Sequence, residues 1–310
     1  MANVSAIGTT QNDPNYLGIL FEIGQNKTPF LNMIGGVTGA RVVPTWNFAL
    51  NSNYALETAS QPSISEDDSA TSPTATTYVR AQAENSIQIF QRTAQITFAD
   101  DSDYSTLAGV PSLNGFNPVT DKKAFQVASN LRQVAVDLEF TLINGAYVKK
   151  TASNVASTSR GLSEAITTNV IAGGGGTLTK SMFNSLTKSM VDNGADLDGN
   201  VILVNSTYKQ KLSELFVLQE RNNVVGGVNV EVIATDFGLL NVVYTPQVPQ
   251  TEIIIADISA CSVAVLPTDG EALVVQDLAQ TGASKPVMIY GQMALDYGVE
   301  NLHGKIENLA

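Results

Sequence analysis

The sequence predicts an α+β fold, in which extended segments surround one long helix and a compact α/β region. Three observations support this prediction. Residues 84–98 alternate apolar and polar side chains with the period of two that is typical of a half-buried strand. Residues 117–150 carry apolar stripes at helical spacing. Residues 177–258 alternate amphipathic helical patterns with short apolar runs, which is typical of a mixed α/β unit.

The first 40 residues are predicted to form an arm rather than a core. The start, MANVSAIGTT, lacks the basic and apolar regions of a signal peptide. The run NKTPFLNMIGG at 26–36 is apolar, but Pro29 and the pair Gly35 and Gly36 interrupt it. We therefore expect this segment to dock on another surface.

A long hairpin follows the arm. Residues 41–56 and 78–99 are predicted to be extended, and the segment between them, 57–77, is polar and almost free of large apolar side chains. A two-stranded hairpin is marginally stable in water unless it packs on something else. The sequence places no helix next to this hairpin, so the surface that covers its apolar side chains must come from elsewhere.

The clearest helix spans about residues 117–150. Pro118 suits the first turn, where its missing N–H has little effect, and Asp121 lies where the helix dipole favours an anion. Lys149 and Lys150 lie where the dipole favours cations. At about 45 Å, with two apolar stripes, this helix is expected to lie between two layers. The stripes are Val127, Leu131, Val134, Leu138 and Leu142, and Phe125, Val136, Phe140, Ile143 and Tyr147.

Residues 151–176 are small and polar and end in the glycine run 173–176. This run lacks the Gly-Lys-Ser/Thr ending of a P-loop, so a flexible connection is favoured over a phosphate site. The α/β region then begins, and its last strands lead into an extended segment, 284–309. Helices are predicted at 177–194 and 206–216, and strands at 201–205, 228–235, 239–245, 251–257 and 262–266.

Composition narrows the function classes. Charged residues are only 15% of the chain, against about 25% in average globular proteins. Either a surface that meets other proteins or neutral polar loops accounts for this deficit. The net charge is −12, and the largest basic clusters are pairs such as Lys122 and Lys123. The sequence therefore predicts that the protein does not bind nucleic acid directly. It also has no apolar run long enough to cross a membrane.

No group of residues indicates catalysis, a cofactor or a firm metal site. Cys261 lies in an apolar run and is predicted to be a buried structural thiol that suits a reducing cytoplasm. His303, the only histidine, is predicted to be a surface or turn residue. Three acidic groups read as solvated loops or turns, with a cation as the weaker alternative at the first two. They are Asp67 with Asp68, Asp100 with Asp101 and Asp103, and Asp192 with Asp196 and Asp198.

The order of these parts resembles the major capsid protein of tailed bacteriophages, the Hong Kong 97-type fold, in its SU10-like branch. The motifs that carry the resemblance extend from about residue 26 to the end of the chain. They are ENSIQIFQRTAQIT, SMFNSLTKSMVDNGADLDGNVILVNSTYKQKLSEL, VNVEVIATDFGLLNVVYTPQVP and MALDYGVENLHGKI.

The resemblance implies a division of the chain. Residues 1–40 would be the N-terminal arm, 41–100 the extended loop, and 101–159 the peripheral domain with its spine helix. Residues 160–270 would be the axial domain, and 271–310 would return to complete the peripheral sheet. The extended loop would lie on a neighbouring subunit. Contact with that subunit would then involve Phe30, Trp46, Phe48, Ile87, Ile89, Phe90, Ile96 and Phe98.

The resemblance also implies a function. The chain would assemble as pentamers and hexamers into an icosahedral shell that encloses double-stranded DNA without binding it specifically, and it would not be an enzyme. A separate scaffolding protein and a portal would be its partners, with a decoration protein as a further candidate, and the virion would be its location. The alternative on the same fold is a bacterial nanocompartment shell of the encapsulin type that holds a cargo enzyme. An enzyme built on residues 177–258 would need convergent polar groups that the sequence does not offer.

Overall fold

The computed structural model describes residues 27–99, 122–216, 219–225, 228–280 and 282–310. The helices are α1 (Pro29–Met33), α2 (Glu66–Ser69), α3 (Lys122–Asn144), α4 (Leu162–Ala165), α5 (Lys180–Asp192) and α6 (Ser206–Leu215), with short 3₁₀ turns at Ile258–Ala260 and Glu300–Leu302. The first seven strands are β1 (Arg41–Val42), β2 (Asn47–Asn53), β3 (Ala81–Ser86), β4 (Gln88–Thr97), β5 (Val170–Gly176), β6 (Val201–Val204) and β7 (Gln219–Val225). The other seven are β8 (Val228–Thr235), β9 (Gly238–Tyr244), β10 (Ile253–Ala256), β11 (Ser262–Val265), β12 (Leu273–Asp277), β13 (Ser284–Asp296) and β14 (Gly304–Leu309).

The long strand β13 organises a five-stranded sheet. It pairs antiparallel with β4 on one side, from Ser284 opposite Thr97 to Met293 opposite Gln88. On its other side it pairs with β12 and β11, and β1 adds to β11 in parallel. Helix α3 packs on β4 and β13 and buries one face of the sheet. The apolar side chains of the predicted strand at β4 are therefore covered by α3 of the same chain. This helix was not expected to cover them, because it is separated from the strand in sequence.

The predicted long strand is in fact two strands that belong to different sheets. Among the described strands, β3 pairs only with β2, whereas β4 pairs with β13, and the chain changes partner at Ile87. The Ile87 N–H donates to the Trp46 carbonyl, and the Ile87 carbonyl accepts a 2.6 Å bond from the Ser157 hydroxyl. The hairpin is accordingly shorter than predicted, because only β2 and β3 form it.

Helix α3 ends earlier than predicted, at Asn144. The next residue, Gly145, lies so close to the Ser159 carbonyl that a Cβ there would be 2.3 Å from its oxygen. The first predicted stripe of α3 is buried at Val134, Leu138 and Leu142. The second is buried at Ile143 but exposed at Phe125 and Phe140. The predicted start, with Pro118 and Asp121, lies outside the described residues.

The C-terminal half forms a seven-stranded sheet in the order β5-β14-β10-β6-β9-β8-β7. Helices α5 and α6 pack on it around Phe183, Leu186 and Tyr208, and its central strands β6 and β10 are fully buried. Every helix and strand predicted between residues 177 and 266 is present, with boundaries shifted by a few residues. The sequence prediction missed β7 and β12.

The predicted flexible connection at residues 173–176 is wrong. These glycines belong to β5, which runs parallel to β14. A Cβ on Gly173 would lie 2.7 Å from a methyl group of Leu309, so the strand needs glycine to approach β14 this closely.

Candidate assembly surfaces

Asn85 fixes the root of the hairpin, where β2 begins and β3 ends, to the rest of the chain. It has no exposed surface, and its side-chain nitrogen donates to the carbonyls of Leu295 at 2.7 Å and Arg160 at 3.2 Å. Its side-chain oxygen accepts from the N–H groups of Ser86 and Arg160, both at 2.8 Å. A buried amide whose donors and acceptor are all used holds its neighbours in one arrangement. The root of the hairpin is therefore rigid.

Two lysines of the segment that follows α3 contact the same root. The Lys150 ammonium lies 3.1 Å from the centre of the Trp46 ring, a cation–π contact. The Lys149 ammonium donates to both carboxylate oxygens of Glu84, at 2.6 and 2.8 Å. This contact lowers the pKa of Glu84 and raises the pKa of Lys149. Both strands of the hairpin are thus anchored where they leave the body.

Beyond this root, the hairpin projects away from the chain. Residues 54–80 are exposed throughout, and the only regular structure in them is α2. Ser65 caps this helix in a reciprocal capping box with Asp68, whose pKa is lowered by the hydrogen bonds from Ser65. The rings of Tyr54 and Tyr78 contact each other edge to face, with their centres 6.5 Å apart. These two rings still belong to a set of large apolar side chains that the segment leaves exposed: Tyr54, Leu56, Ile64, Tyr78 and Val79.

The outer edge of β4 is a second candidate surface, because it pairs with no other strand in the described part of the chain. The Phe98 N–H donates 3.0 Å to the Ala283 carbonyl, so even-numbered residues of β4 bond to β13 and odd-numbered ones direct their backbone groups outward. Ile89, Gln91 and Gln95 are odd-numbered, exposed and uncharged. Among the described strands, β4 pairs only with β13. Exposed edges usually carry lysine, proline or a bulge that prevents pairing, and this stretch has none of these.

A cleft of about 690 Å³ lies between the start of β4 and the last turns of α3. Ile89 and Phe140 line it and are 45% and 53% exposed. The guanidinium of Arg92 pairs with Asp137 in the same cleft at 2.6 and 3.0 Å. Exposed apolar side chains beside a neutralised ion pair are typical of a surface that another protein covers.

The predicted contact residues divide into two groups. Ile89 and Phe98 are exposed, at 45% and 39%, and Trp46 is half-buried against the core. The other five are buried in the core of the chain itself and leave little or no surface for a neighbour: Phe30, Phe48, Ile87, Phe90 and Ile96.

The sequence interpretation also missed exposed residues. The helical spacing placed Phe140 in an apolar stripe expected to be buried, whereas the side chain is 53% exposed and lines the cleft. The apolar residues of the hairpin were overlooked because four of the five flank the polar tip or lie at its margin. The sequence does contain a pattern that indicates these exposed residues. Tyr54 and Leu56 lie two positions apart, and Tyr78 and Val79 are consecutive, in segments that are predicted to be extended.

The prediction that His303 lies at the surface is wrong. The side chain has no exposed surface, and burial lowers its pKa. Its Nδ1 accepts from the Asp257 N–H at 3.2 Å, so its Nε2 carries the proton that is donated to the Tyr297 carbonyl at 2.8 Å. The ring is a neutral structural link with no substrate-facing atom. Cys261 is buried, as predicted, and burial raises the pKa of its thiol.

Within the described ranges, no group of three or more His, Cys, Asp or Glu residues could hold a metal ion. Asp192, Asp196 and Asp198 lie near the turn that ends α5, where the Asp196 carboxylate accepts from the Asp198 N–H at 3.1 Å. Asp100, Asp101 and Asp103 lie outside the described residues. No helix in the described part of the chain is long and apolar enough to span a membrane.

Comparison with solved structures identifies the fold. The capsid protein of cyanophage A-1(L) matches with a TM-score of 0.64 at 11% identity, covering 95% of this chain and 96% of that one. The capsid of a native GTA particle matches with a TM-score of 0.58 at 11% identity, covering 98% and 96%. The SrpI encapsulin of Synechococcus elongatus PCC 7942 matches with a TM-score of 0.57 at 11% identity, covering 95% and 92%. The chain therefore has the Hong Kong 97-type capsid fold, which confirms the predicted fold class.

The sequence itself gives the family. The model of the SU10 major capsid protein family matches residues 3–310, nearly the whole chain. A search of curated protein sequences found no match. The chain belongs to the SU10 major capsid protein family, as the motifs indicated, and its function is to form the shell of a phage capsid. It is a structural protein, located in the virion, that acts as an oligomer.

Proposed function

We propose that the chain assembles as pentamers and hexamers into a closed icosahedral shell that encloses double-stranded DNA. The observation that carries this proposal is a pair of uncovered surfaces on one chain. One is the projecting hairpin segment 54–80 with its exposed apolar residues, and the other is the cleft beside β4. Two different surfaces that fit each other generate rings when the rotation between copies closes.

The proposed division of the chain follows from the resemblance. Residues 1–40 would be the N-terminal arm and 41–100 the extended loop, although β4 within that range belongs to the five-stranded sheet. Residues 101–159 with 271–310 would form the peripheral domain around α3, and 160–270 the axial domain. Two strands cross this division: β11 belongs to the five-stranded sheet and β14 to the seven-stranded sheet. The axial domain would meet its copies at the five-fold and six-fold axes.

The contacts between copies would use the exposed members of the predicted set. Ile89 and Phe98 supply apolar surface, Trp46 supplies the part of its side chain that stays exposed, and Phe140 adds apolar surface in the cleft. Segment 54–80 of a second copy is a suitable occupant because its large apolar side chains stay exposed to solvent in the described chain. Covering one large apolar side chain contributes about 1.5–3 kcal/mol, and a shell repeats each contact many times.

The charge of the protein fits a container. The net charge of −12 gives no broad attraction to phosphate, so DNA would be enclosed without specific binding. A shell of this kind also needs partners that direct its closure and fill its vertices. A separate scaffolding protein and a portal are the expected ones, and a decoration protein is a further candidate. Assembly would take place in the host cytoplasm.

Electron microscopy of negatively stained, purified protein tests this proposal, after sizing by light scattering. We expect closed particles or capsomer-sized rings, alone or after addition of a scaffolding protein. A monodisperse monomer of 32.8 kDa that never assembles under either condition would contradict the proposal.

The encapsulin match supports a second candidate, a nanocompartment shell that holds a cargo protein. The family match favours the phage capsid, because it covers residues 3–310 of the chain with a capsid protein model. The two candidates differ in the content of shells produced in the native host. Nuclease-protected DNA would support the phage capsid, and a co-purified enzyme without DNA would support the nanocompartment.

A further inference from the structure

An aspartate and a glycine form the two-residue turn that leads from β11 toward β12. The Thr268 N–H donates to the Glu271 carbonyl at 2.9 Å, and the Glu271 N–H donates to the Thr268 carbonyl at 3.0 Å. Asp269 and Gly270 lie between them, both exposed, with φ angles of 53° and 85°. Positive φ at both central residues defines a type I′ turn, for which Asp-Gly is one of the preferred sequences. Both residues of the turn therefore face the solvent.

An aspartate or asparagine that precedes a glycine can react with its own backbone. The glycine nitrogen loses its proton and attacks the side-chain carbonyl carbon, so that a C–N bond forms and water leaves aspartate, or ammonia leaves asparagine. Water then opens the resulting succinimide ring at either carbonyl. One product is aspartate, and the other is isoaspartate, in which the backbone runs through the side-chain carbon. Glycine favours the attack because it has no Cβ, and the attack requires a nitrogen and a side chain that are free to meet.

The described part of the chain contains four such pairs, and in three of them the glycine nitrogen is engaged. These three pairs are Asn144 with Gly145, Asn193 with Gly194, and Asp198 with Gly199. Their glycine N–H groups donate, in that order, to the carbonyls of Thr141 at 2.9 Å, Val191 at 2.9 Å and Leu239 at 3.0 Å. A further pair, Asn114 with Gly115, lies outside the described residues. Attack in the three engaged pairs first requires the loss of a backbone hydrogen bond.

The side chains of these three pairs are held as well. Each makes a hydrogen bond that restrains the rotation by which its carbonyl carbon would meet the glycine nitrogen. The bonds run from Asn144 to the Gln247 carbonyl at 2.7 Å, from Asn193 to the Asn169 side-chain oxygen at 2.8 Å, and from the Leu239 N–H to Asp198 at 3.3 Å. Because such bonds open only by local unfolding, the fold slows the reaction at all three pairs.

Asp269 with Gly270 is the remaining pair, and the fold leaves it free. Neither the Gly270 N–H nor the Asp269 carboxylate has a hydrogen-bond partner among the described residues. A Cβ built on Gly270 would meet no atom within 4 Å, so the space around this residue is open. We propose that Asp269 is a site of spontaneous backbone modification, at which the folded chain forms a succinimide with Gly270 and accumulates isoaspartate. The proposal concerns the single chain and does not depend on shell formation.

The modification changes the shape of the turn and not its charge. Isoaspartate carries a carboxylate, as aspartate does, but it adds a carbon atom to the backbone of a turn that has only two residues. The longer backbone no longer matches the type I′ geometry, so the hydrogen bonds between Thr268 and Glu271 should weaken. The affected turn precedes β12, which pairs with β13 in the five-stranded sheet. The consequence is therefore expected at β12 first.

Incubation of the full-length chain at neutral pH in water enriched in oxygen-18 tests the proposal. Ring opening by solvent leaves a labelled oxygen on each residue that has passed through the succinimide, and mass spectrometry of peptides locates the label and the isoaspartate. We expect the Asp269 peptide of the folded chain to gain label within about threefold of its rate in urea, because the turn offers no protection. Asp198 is the matched control in the same chain, and its labelling should slow by at least about tenfold on folding.

The variant Asp269→Asn compares the sites with the same leaving group. It keeps the turn, since Asn-Gly is also a preferred type I′ sequence, and it can be compared directly with the two natural Asn-Gly pairs of the described chain. We expect position 269 of the folded variant to deamidate at least about tenfold faster than Asn144 and Asn193. A folded wild type whose Asp269 peptide stays unlabelled, or a folded variant in which Asn144 or Asn193 reacts as fast as position 269, would overturn the proposal.

Discussion

The side-chain nitrogen of Asn85 donates a 2.7 Å hydrogen bond to the carbonyl oxygen of Leu295. This bond joins the end of β3 to β13, and its two residues are 210 positions apart in the sequence. It stands at the point where the chain passes from the hairpin into the five-stranded sheet. The direction in which the hairpin projects is set by this bond and by the other hydrogen bonds of Asn85.

Asn85→Asp should destabilise the chain by about 3 kcal/mol. The substitution replaces a buried donor with an oxygen that faces the Leu295 carbonyl, and it leaves that carbonyl unpaired. Urea denaturation of the soluble chain measures the loss. The matched control is Asn51→Asp, at an exposed position in β2, which should change stability by less than about 0.5 kcal/mol. Similar losses in both variants would show that Asn85 does not have this role.

Ile89→Glu should block assembly without unfolding the chain. The side chain is 45% exposed, so a carboxylate there remains solvated in the single chain, but a neighbour would bury it unpaired. We expect the yield of particles, measured by sedimentation, to fall at least about tenfold. Val275→Glu is the matched control, since Val275 is 47% exposed on β12, away from the cleft. Normal shells from Ile89→Glu would exclude the cleft as a contact.

Lys150→Ala should weaken the root of the hairpin through the loss of its contact with Trp46. The free energy of unfolding should fall by about 1 kcal/mol, and the fluorescence of the only tryptophan should change as the cation leaves its ring. Lys149→Ala, whose ammonium contacts Glu84 at the surface, should lower stability less and leave the emission unchanged. Unchanged emission in Lys150→Ala would contradict the cation–π contact.

His303 should make the chain less stable in acid. The bond that Nδ1 accepts from the Asp257 N–H requires a neutral ring, and burial holds the pKa of His303 below the ordinary value of 6.5. Its contribution is therefore present above about pH 6.5 and is lost as the pH falls. We compare the free energy of unfolding of the wild type and His303→Asn at pH 7.5 and pH 5. The advantage of the wild type should shrink at pH 5, by at most about 2 kcal/mol, and an advantage that grows in acid would contradict this account.

Local patterns in the sequence predicted most elements of the fold. The alternation around Ile96 gave a strand, and the apolar runs at β6 and β10 gave buried strands, because burial on one or both faces imposes these patterns directly. The change of partner at Ile87 could not be predicted in this way. No glycine or proline interrupts the sequence near Ile87, and the distant strand β13 decides which residues pair with it.

The errors at the glycine run and at His303 have similar causes. Glycine has little preference for strands, so the run at 173–176 indicates a loop unless the close approach of Leu309 is known. His303 lies among polar residues in ENLHGK, and the 3₁₀ turn before it carries the ring inward. The contact surfaces could not be predicted because the sequence does not show which apolar side chains are exposed to solvent. Phe90 and Ile89 are neighbours with similar character, yet only one of them faces the solvent.

The central claim is that copies of this chain form a shell by placing the hairpin segment 54–80 on the cleft of a neighbour. A structure of the assembled particle by electron cryomicroscopy tests it most directly. We predict five-fold and six-fold capsomers in which Ile89 and Phe140 are covered by segment 54–80 of an adjacent copy. A particle in which that segment remains in solvent or folds onto its own chain, with Ile89 and Phe140 uncovered, would contradict the claim.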